Sequence, residues 1–217
     1  MKILLVSATE KEFYPLRQRL GFSGESGSFK DHALDLLVTG VGMVSTAYSL
    51  GKFLAAINTI DLVINLGIAG SFNRSFELGE VVNVTQDMIF ELGAEDGANF
   101  IYADLLGLVD ERHLYFHSSH SVKCAILSNL KIAQGITVNK VHGNQATINL
   151  LQEKNNPDVE TMEGAAFFYA CDQAKLSAIQ LRSISNYVED RDRSKWELDL
   201  AINNLASKTM DIIEDLS

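Results

Sequence analysis

Leu62-Val63-Ile64-Asn65-Leu66 runs directly into Gly67-Ile68-Ala69-Gly70-Ser71, and the reading of this stretch decides the fold. A short, almost wholly apolar run is the size of a strand covered on both faces. The small residues behind it predict a break into an exit loop, where a flat or bulky ligand can approach the backbone. Outward from it the same alternation repeats. Strands are predicted over 3–8, 34–39, 62–66, 81–84, 136–141 and 178–185, and helices over 44–57, 164–175 and 196–216. Thr9 stands three residues before Glu12, the spacing of a capping box, so a helix is also predicted between Thr9 and Gly21. Pro15 within it removes a backbone donor, which predicts a kink or a later start. Residues 23–31 read as a loop or hairpin turn, and 91–120 as loop with short elements.

Strands that alternate with helices define an α/β protein: a single three-layer domain over residues 1–217, with a central mixed, mostly buried sheet flanked by helices. In such folds ligands sit beyond the carboxyl ends of the strands, so the residues of interest come just after strands.

The composition narrows the function. Of 217 residues, 47% are hydrophobic and 21% charged, which excludes a disordered or fibrous chain. Eighteen basic against 28 acidic residues give a net charge of -10. That balance argues against nucleic-acid partners, whose phosphates need Lys and Arg, and against a polybasic membrane surface. Cys124 and Cys171 make no disulfide framework or C-x-x-C pair, and the apolar start is cut off by Glu10, Lys11 and Glu12 before it resembles a signal peptide. No apolar stretch reaches the ~18 residues of a membrane span. A cytoplasmic protein is expected.

Several constellations can carry chemistry. Glu12 either caps its helix or acts as a general base at a strand end. Gly40-Val41-Gly42-Met43-Val44-Ser45 resembles a dinucleotide-binding turn without its third glycine, or is a plain tight turn into a helix. Glu163, in Glu160-Thr161-Met162-Glu163-Gly164, either answers the helix dipole or grips the vicinal hydroxyls of a sugar. Arg182-Ser183-Ile184-Ser185-Asn186-Tyr187-Val188-Glu189 ends a strand in a polar residue. The charged loop Asp190-Arg191-Asp192-Arg193-Ser194-Lys195 then leads to Trp196. His113, His117, His120 and His142 have no metal-ligand spacing and are read as ordinary histidines; no metal and no cofactor are predicted.

Taken in order, Ala8-Thr9-Glu10-Lys11-Glu12, Gly40-Val41-Gly42, Gly67-Ile68-Ala69-Gly70, Glu160-Thr161-Met162-Glu163-Gly164 and the Arg182 to Glu189 stretch resemble the purine nucleoside phosphorylase and nucleosidase superfamily. The resemblance covers almost the whole chain, and the Arg191 to Trp196 segment looks like its futalosine-cleaving branch. It implies that Glu12 activates water and that Glu163, beside Met162 under the ribose, holds the 2′ and 3′ hydroxyls. It implies that Asn186, next to Ser185, faces N7 and the 6-substituent of the base. Thr9, Ala69, Gly70 and Thr147 would line the pocket, and Trp196 would flank the 5′ side. Arg191, Arg193 or Lys195 would hold a substrate carboxylate.

The same resemblance implies a small nucleoside substrate, a homo-oligomer and no cofactor. Adenine-specific members carry Asp where this chain has Asn186. An amide donates to a 6-oxo group but cannot act as a proton donor in the same sense, which points to hypoxanthine or guanine. The source of the N7 proton is then solvent, or a water held by Asp190 or Glu189. A carboxylate at Glu12, where phosphorylases bind phosphate, favours hydrolysis. Release of hypoxanthine from futalosine, on a route to menaquinone, is the implied reaction. A methylthioadenosine/adenosylhomocysteine nucleosidase, a phosphorylase and a dinucleotide-binding module are the alternatives.

Overall fold

The computed structural model describes residues 1–57, 59–97 and 99–216. A nine-stranded mixed sheet runs through it. In chain order the elements are β1 (Lys2–Ser7), α1 (Glu10–Leu20), β2 (Ser26–Phe29), β3 (His32–Val38), α2 (Met43–Ala56), β4 (Leu62–Ser71) and β5 (Val81–Ile89). Then come the hairpin β6 (Gly93–Asp96) and β7 (Asn99–Tyr102), β8 (Tyr115–His117), α3 (Ala125–Ser128), β9 (Ile132–Thr137) and α4 (Gln145–Asn155). The chain closes with β10 (Val159–Thr161), α5 (Gly164–Gln173), β11 (Ser177–Tyr187) and α6 (Leu198–Asp215).

The sheet order is β10-β9-β5-β11-β4-β1-β3-β2, with β8 on β5. Strand β10 also pairs with β4, so β4, β11, β5, β9 and β10 close on themselves while β1, β3 and β2 extend as an open wing. The side-chain period of 2 sets the layers. Ile3 and Leu5 of β1 pack with Phe13 and Leu16 of α1 and Leu205, Ile212 and Ile213 of α6. Leu4 and Val6 of the same strand pack with Leu50 and Leu54 of α2 and with Phe167, Phe168 and Cys171 of α5. All of these except Leu54 are at most 2% exposed. Burying such a side chain stabilises the fold by roughly 1.5–3 kcal/mol relative to leaving it in water. The three-layer α/β arrangement is therefore the one expected.

Several boundaries differ from the sequence expectation. Strand β4 does not break at Gly67. It continues to Ser71, because Gly67, Ile68, Ala69 and Gly70 pair in parallel with Arg182, Ser183, Ile184 and Asn186 of β11. Small residues there leave room for neighbouring side chains rather than ending the strand. Strand β5 runs past Val84 to Ile89 through an irregularity in its pairing with β9 between Val84 and Gln86. Strand β9 lies four residues earlier than the predicted 136–141, because its register with β10 pairs Gly135, Ile136 and Thr137 with Val159, Glu160 and Thr161.

Helix α4 was not expected at all. Its N-cap Asn144 accepts from the N–H groups of Ala146 and Thr147, and Ile148 and Leu151 are buried. Residues 26–38 form a hairpin turning at Lys30, where φ is 52°. Helix α1 starts where the capping box places it and carries Pro15 internally.

Candidate active site

Three turns that follow strands converge on one face. Ser7 ends β1, and the capping box then forms: the Glu12 N–H donates to Thr9 Oγ1 (3.4 Å) and the Thr9 N–H donates to Glu12 Oε2 (3.1 Å). Glu12 Oε2 also accepts from the hydroxyls of Ser7 (3.0 Å) and Thr9 (2.8 Å). The other oxygen, Oε1, accepts from the Ile68 N–H on β4 at 3.2 Å. The cap and the reactive-base readings of Glu12 are thus compatible: the helix end fixes a carboxylate that borders a cavity.

The glycine turn after β3 has a different task from cradling a phosphate. Gly40 and Gly42 have φ of 87° and 92°, which only glycine adopts without strain. The Gly42 N–H donates to Glu163 Oε1 at 2.9 Å. Glu163 is the N-cap residue of α5, but its side chain makes no cap bond. Instead the first N–H groups of that helix are held by Thr161 (Gly164 N–H to Oγ1, 3.2 Å) and Thr137 (Ala165 N–H to Oγ1, 2.7 Å). The Glu163 carboxylate is therefore free of the helix it precedes. Burial raises its pKa, the Gly42 N–H and the charge of Arg182 pull it back, and the charge of Glu12 pushes it up again.

Arg182 is the residue that sequence reasoning quoted but gave no task. It is 1% exposed in the middle of β11. Its guanidinium donates to Asn65 Oδ1, to Gln180 Oε1 (2.9 Å) and to the Leu181 carbonyl (3.2 Å). Burial lowers its pKa, while Glu163, Glu12 and Asp87 raise it. A buried cation with carboxylates around it is tolerable only because each offsets the desolvation of the other. The signal was a charged side chain inside a predicted strand, two residues after Gln180. Asp87 lies below, fully buried, accepting from Thr137 Oγ1 (2.8 Å) and Gln180 Nε2 (2.9 Å). Burial pushes its pKa up to about 6 against the pull of those donors and of Arg182. Glycines make the space: a Cβ on Gly67 would stand 3.0 Å from Arg182 Nη1 and 3.2 Å from Glu12 Oε1, and one on Gly164 2.0 Å from Asp87 Oδ2.

A cavity of about 260 Å³ gathers Thr9, Glu12, Ala69, Gly70, Met162, Glu163, Ser185, Asn186 and Trp196. All are residues expected from the sequence. Asn186 is fixed by its neighbours: Oδ1 accepts from Ser185 Oγ (2.8 Å) and Nδ2 donates to the Tyr187 carbonyl (3.0 Å). Its second amide hydrogen remains for a ligand. Trp196 is half-buried ahead of α6, with the guanidinium carbons of Arg191 and Arg193 at 5.2 and 5.9 Å from its ring.

Arg191 lines an adjoining cavity of about 370 Å³ with Arg74, Lys195, Asn186 and Trp196. Arg74, on the loop after β4, was not expected there. Arg193 borders neither cavity. Thr147 does not reach the cavity: it is exposed in the first turn of α4, and its hydroxyl donates to Asn144 Oδ1 at 3.5 Å. Two further wall residues went unassigned in the sequence, His142 and Glu160, whose side chains pair at 2.7 Å. Among the described residues no group of three or more His, Cys, Asp or Glu could hold a metal ion.

Two half-buried carboxylates, Glu12 and Glu163, thus share a small pocket with the amide of Asn186 at the edge of an α/β sheet. The phosphorylase superfamily profile matches residues 3–216, and the chain belongs to that superfamily. Among its relatives, futalosine hydrolase of Thermus thermophilus is 30% identical over 175 residues, covering 78% of this chain and 76% of the relative. Aminodeoxyfutalosine nucleosidase of Campylobacter jejuni is 23% identical, covering 95% and 93%. The fold is that of the 5′-methylthioadenosine/S-adenosylhomocysteine nucleosidase of Helicobacter pylori, with TM-score 0.83, 15% identity and coverage of 100% and 99%.

Proposed function

We propose that this chain hydrolyses the N-glycosidic bond of futalosine and releases hypoxanthine, a step toward menaquinone. The enzyme is an N-glycosyl hydrolase of the nucleosidase kind. The observation that carries the hydrolytic reading is Glu12. Its carboxylate takes up the N–H groups of Thr9 and Ile68, the donors a phosphate would need. A negative charge at that point repels phosphate and suits water.

The reaction builds positive charge on the ribose and negative charge on the departing base. Glu163 lies where a carboxylate stabilises that sugar and holds its hydroxyls, with Met162 beside it. Glu12 orients the attacking water and takes its proton. The charge of the buried Arg182 favours the ionised form of Glu163. Asn186 offers its remaining N–H to a 6-oxo group, and an adenine amino group there would meet a donor with a donor. That pattern supports futalosine over adenine nucleosides. Arg191, which lines the adjoining cavity, has no carboxylate partner among the described residues, which leaves it available to the carboxylate at the far end of the substrate.

The chain acts as one domain over residues 1–217, since one sheet runs from β2 to β10. It is cytoplasmic; among the described residues no helix is long and apolar enough to cross a membrane. It forms a homo-oligomer, supported by Val41, Val44 and Tyr48, which leave 53%, 84% and 70% of their surface exposed on and just before α2. The deciding experiment is incubation with futalosine in phosphate-free buffer, with methylthioadenosine in parallel. Hypoxanthine release without phosphate supports the reading. Adenine release alone would overturn the substrate, and turnover only with phosphate would overturn the reaction type.

A further inference from the structure

Asn186 leaves the departing base without an acid, and the same cavity holds one close by. His142 follows β9 and Glu160 lies in β10. Their side chains are 4% and 3% exposed and meet at 2.7 Å between Nδ1 and Oε2. The backbone N–H of His142 donates to the same carboxylate, at 3.0 Å to Oε1 and 3.3 Å to Oε2. One residue thus clasps Glu160 through main chain and ring, and this fixes the imidazole. With Nδ1–H committed to the carboxylate, Nε2 is the ring atom left, and it has no hydrogen-bond partner among the described residues. The edge of the Phe90 ring closes one side, with centroids 6.1 Å apart.

The pair sits at the base end of the cavity. A Cβ on Gly70 would touch Glu160 Cγ at 3.5 Å and Asn186 Nδ2 at 3.3 Å, so the two side chains flank one glycine. His142 lines both cavities, as Asn186 does. Other charged groups face it from the loop after β11, where Asp190, Arg191, Asp192, Lys195 and Glu189 border the adjoining cavity together with Arg74. Asp190 there accepts from the Gln145 N–H of α4.

We propose that the Glu160–His142 pair is the general acid that protonates the purine leaving group; this rests on the nucleosidase reading above. The C1′–N9 bond breaks and its electron pair goes to the base. The Nε2–H proton of protonated His142 moves to N7. The water oxygen bonds to C1′ while its proton passes to Glu12. Glu12 then releases that proton to solvent and His142 regains one, so the net change is one water added across the bond. Glu160 keeps the ring oriented.

The test compares two leaving groups. Futalosine needs a proton on its base, whereas 4-nitrophenyl β-D-ribofuranoside loses a stable anion and needs none. In His142→Gln the ratio of futalosine to aryl-riboside turnover should fall about 100-fold or more, and Glu160→Gln should lower the same ratio by a smaller factor. The alkaline fall of kcat/KM for the wild type, where the acid loses its proton, should be absent from His142→Gln. That profile decides the matter if the wild type leaves the aryl riboside intact. Equal losses on both substrates with an unchanged pH profile would assign His142 a structural role and overturn the proposal. Unchanged futalosine turnover would overturn it too. A wild type that releases adenine but no hypoxanthine would overturn only the substrate, and the same ratio measured with methylthioadenosine would still judge His142.

Discussion

The Glu12 carboxylate accepts from the hydroxyls of Ser7 and Thr9 and from the N–H groups of Thr9 and Ile68. Its position is therefore set by four donors on three neighbouring residues, one of them on another strand. Glu12→Gln keeps the size of the side chain but cannot take a proton from water. Hypoxanthine release should fall by roughly 10²–10⁴-fold, with the far-UV spectrum unchanged. Gly67→Ala acts at one remove. The added Cβ, 3.0 Å from Arg182 Nη1 and 3.2 Å from Glu12 Oε1, crowds both side chains. Turnover should drop more than 10-fold on the same scale as misplaced catalytic groups elsewhere, while futalosine KM changes little; an unchanged kcat would show that the spacing of the two groups does not matter.

At the scale of elements, the helix ends do the positioning. Asn144 caps α4 by accepting from Ala146 and Thr147 at 3.1 and 3.2 Å. The chain just before it carries His142, with the Gln145 N–H bonded to Asp190. Asn144→Ala should cost about 1 kcal/mol in urea denaturation. The loss of that cap is also expected to loosen the segment around His142, seen as faster amide exchange at residues 145–148. Helix α4 was invisible in the sequence because its apolar face is narrow, with Ile148 and Leu151 its buried residues. Strand β4 was read as ending at Gly67 because Gly-Ile-Ala-Gly-Ser carries the composition of a loop. Pairing with β11 on one side and β10 on the other overrides that composition. By contrast the start of α1 follows the capping box, a contact between residues three apart, and not the later start that Pro15 suggested.

Across the whole molecule, the sheet encloses a buried polar chain from Asn65 through Arg182 and Gln180 to Asp87 and Thr137. Asp87 has its pKa pushed by burial from 3.8 to about 6. A carboxyl that binds its proton more tightly when folded contributes stability below its unfolded pKa. That contribution is lost as pH rises through the folded value. Wild-type stability should therefore carry a component that declines from about pH 4 to about pH 6. Asp87→Asn removes it, and urea midpoints taken across that window for both proteins will show whether the two curves differ in slope. Parallel curves would mean that Asp87 titrates normally.

The sequence by itself determined the α/β class and the order of most elements, and its resemblance to the superfamily pointed to Glu12, Met162, Glu163, Ser185 and Asn186, which line one cavity. These lie in short segments at or just after strand ends. Only the tertiary structure decided that the Gly42 N–H serves Glu163, that Arg182 is buried on Asn65 and Gln180, and that Thr147 lies outside the cavity. It alone brought His142 to Glu160, across 18 positions of chain and between neighbouring strands. Such contacts depend on register and on which face of a strand a side chain takes. Those are fixed when all the strands pack together, because a slip of one residue would turn Arg182 and Asp87 out of the interior.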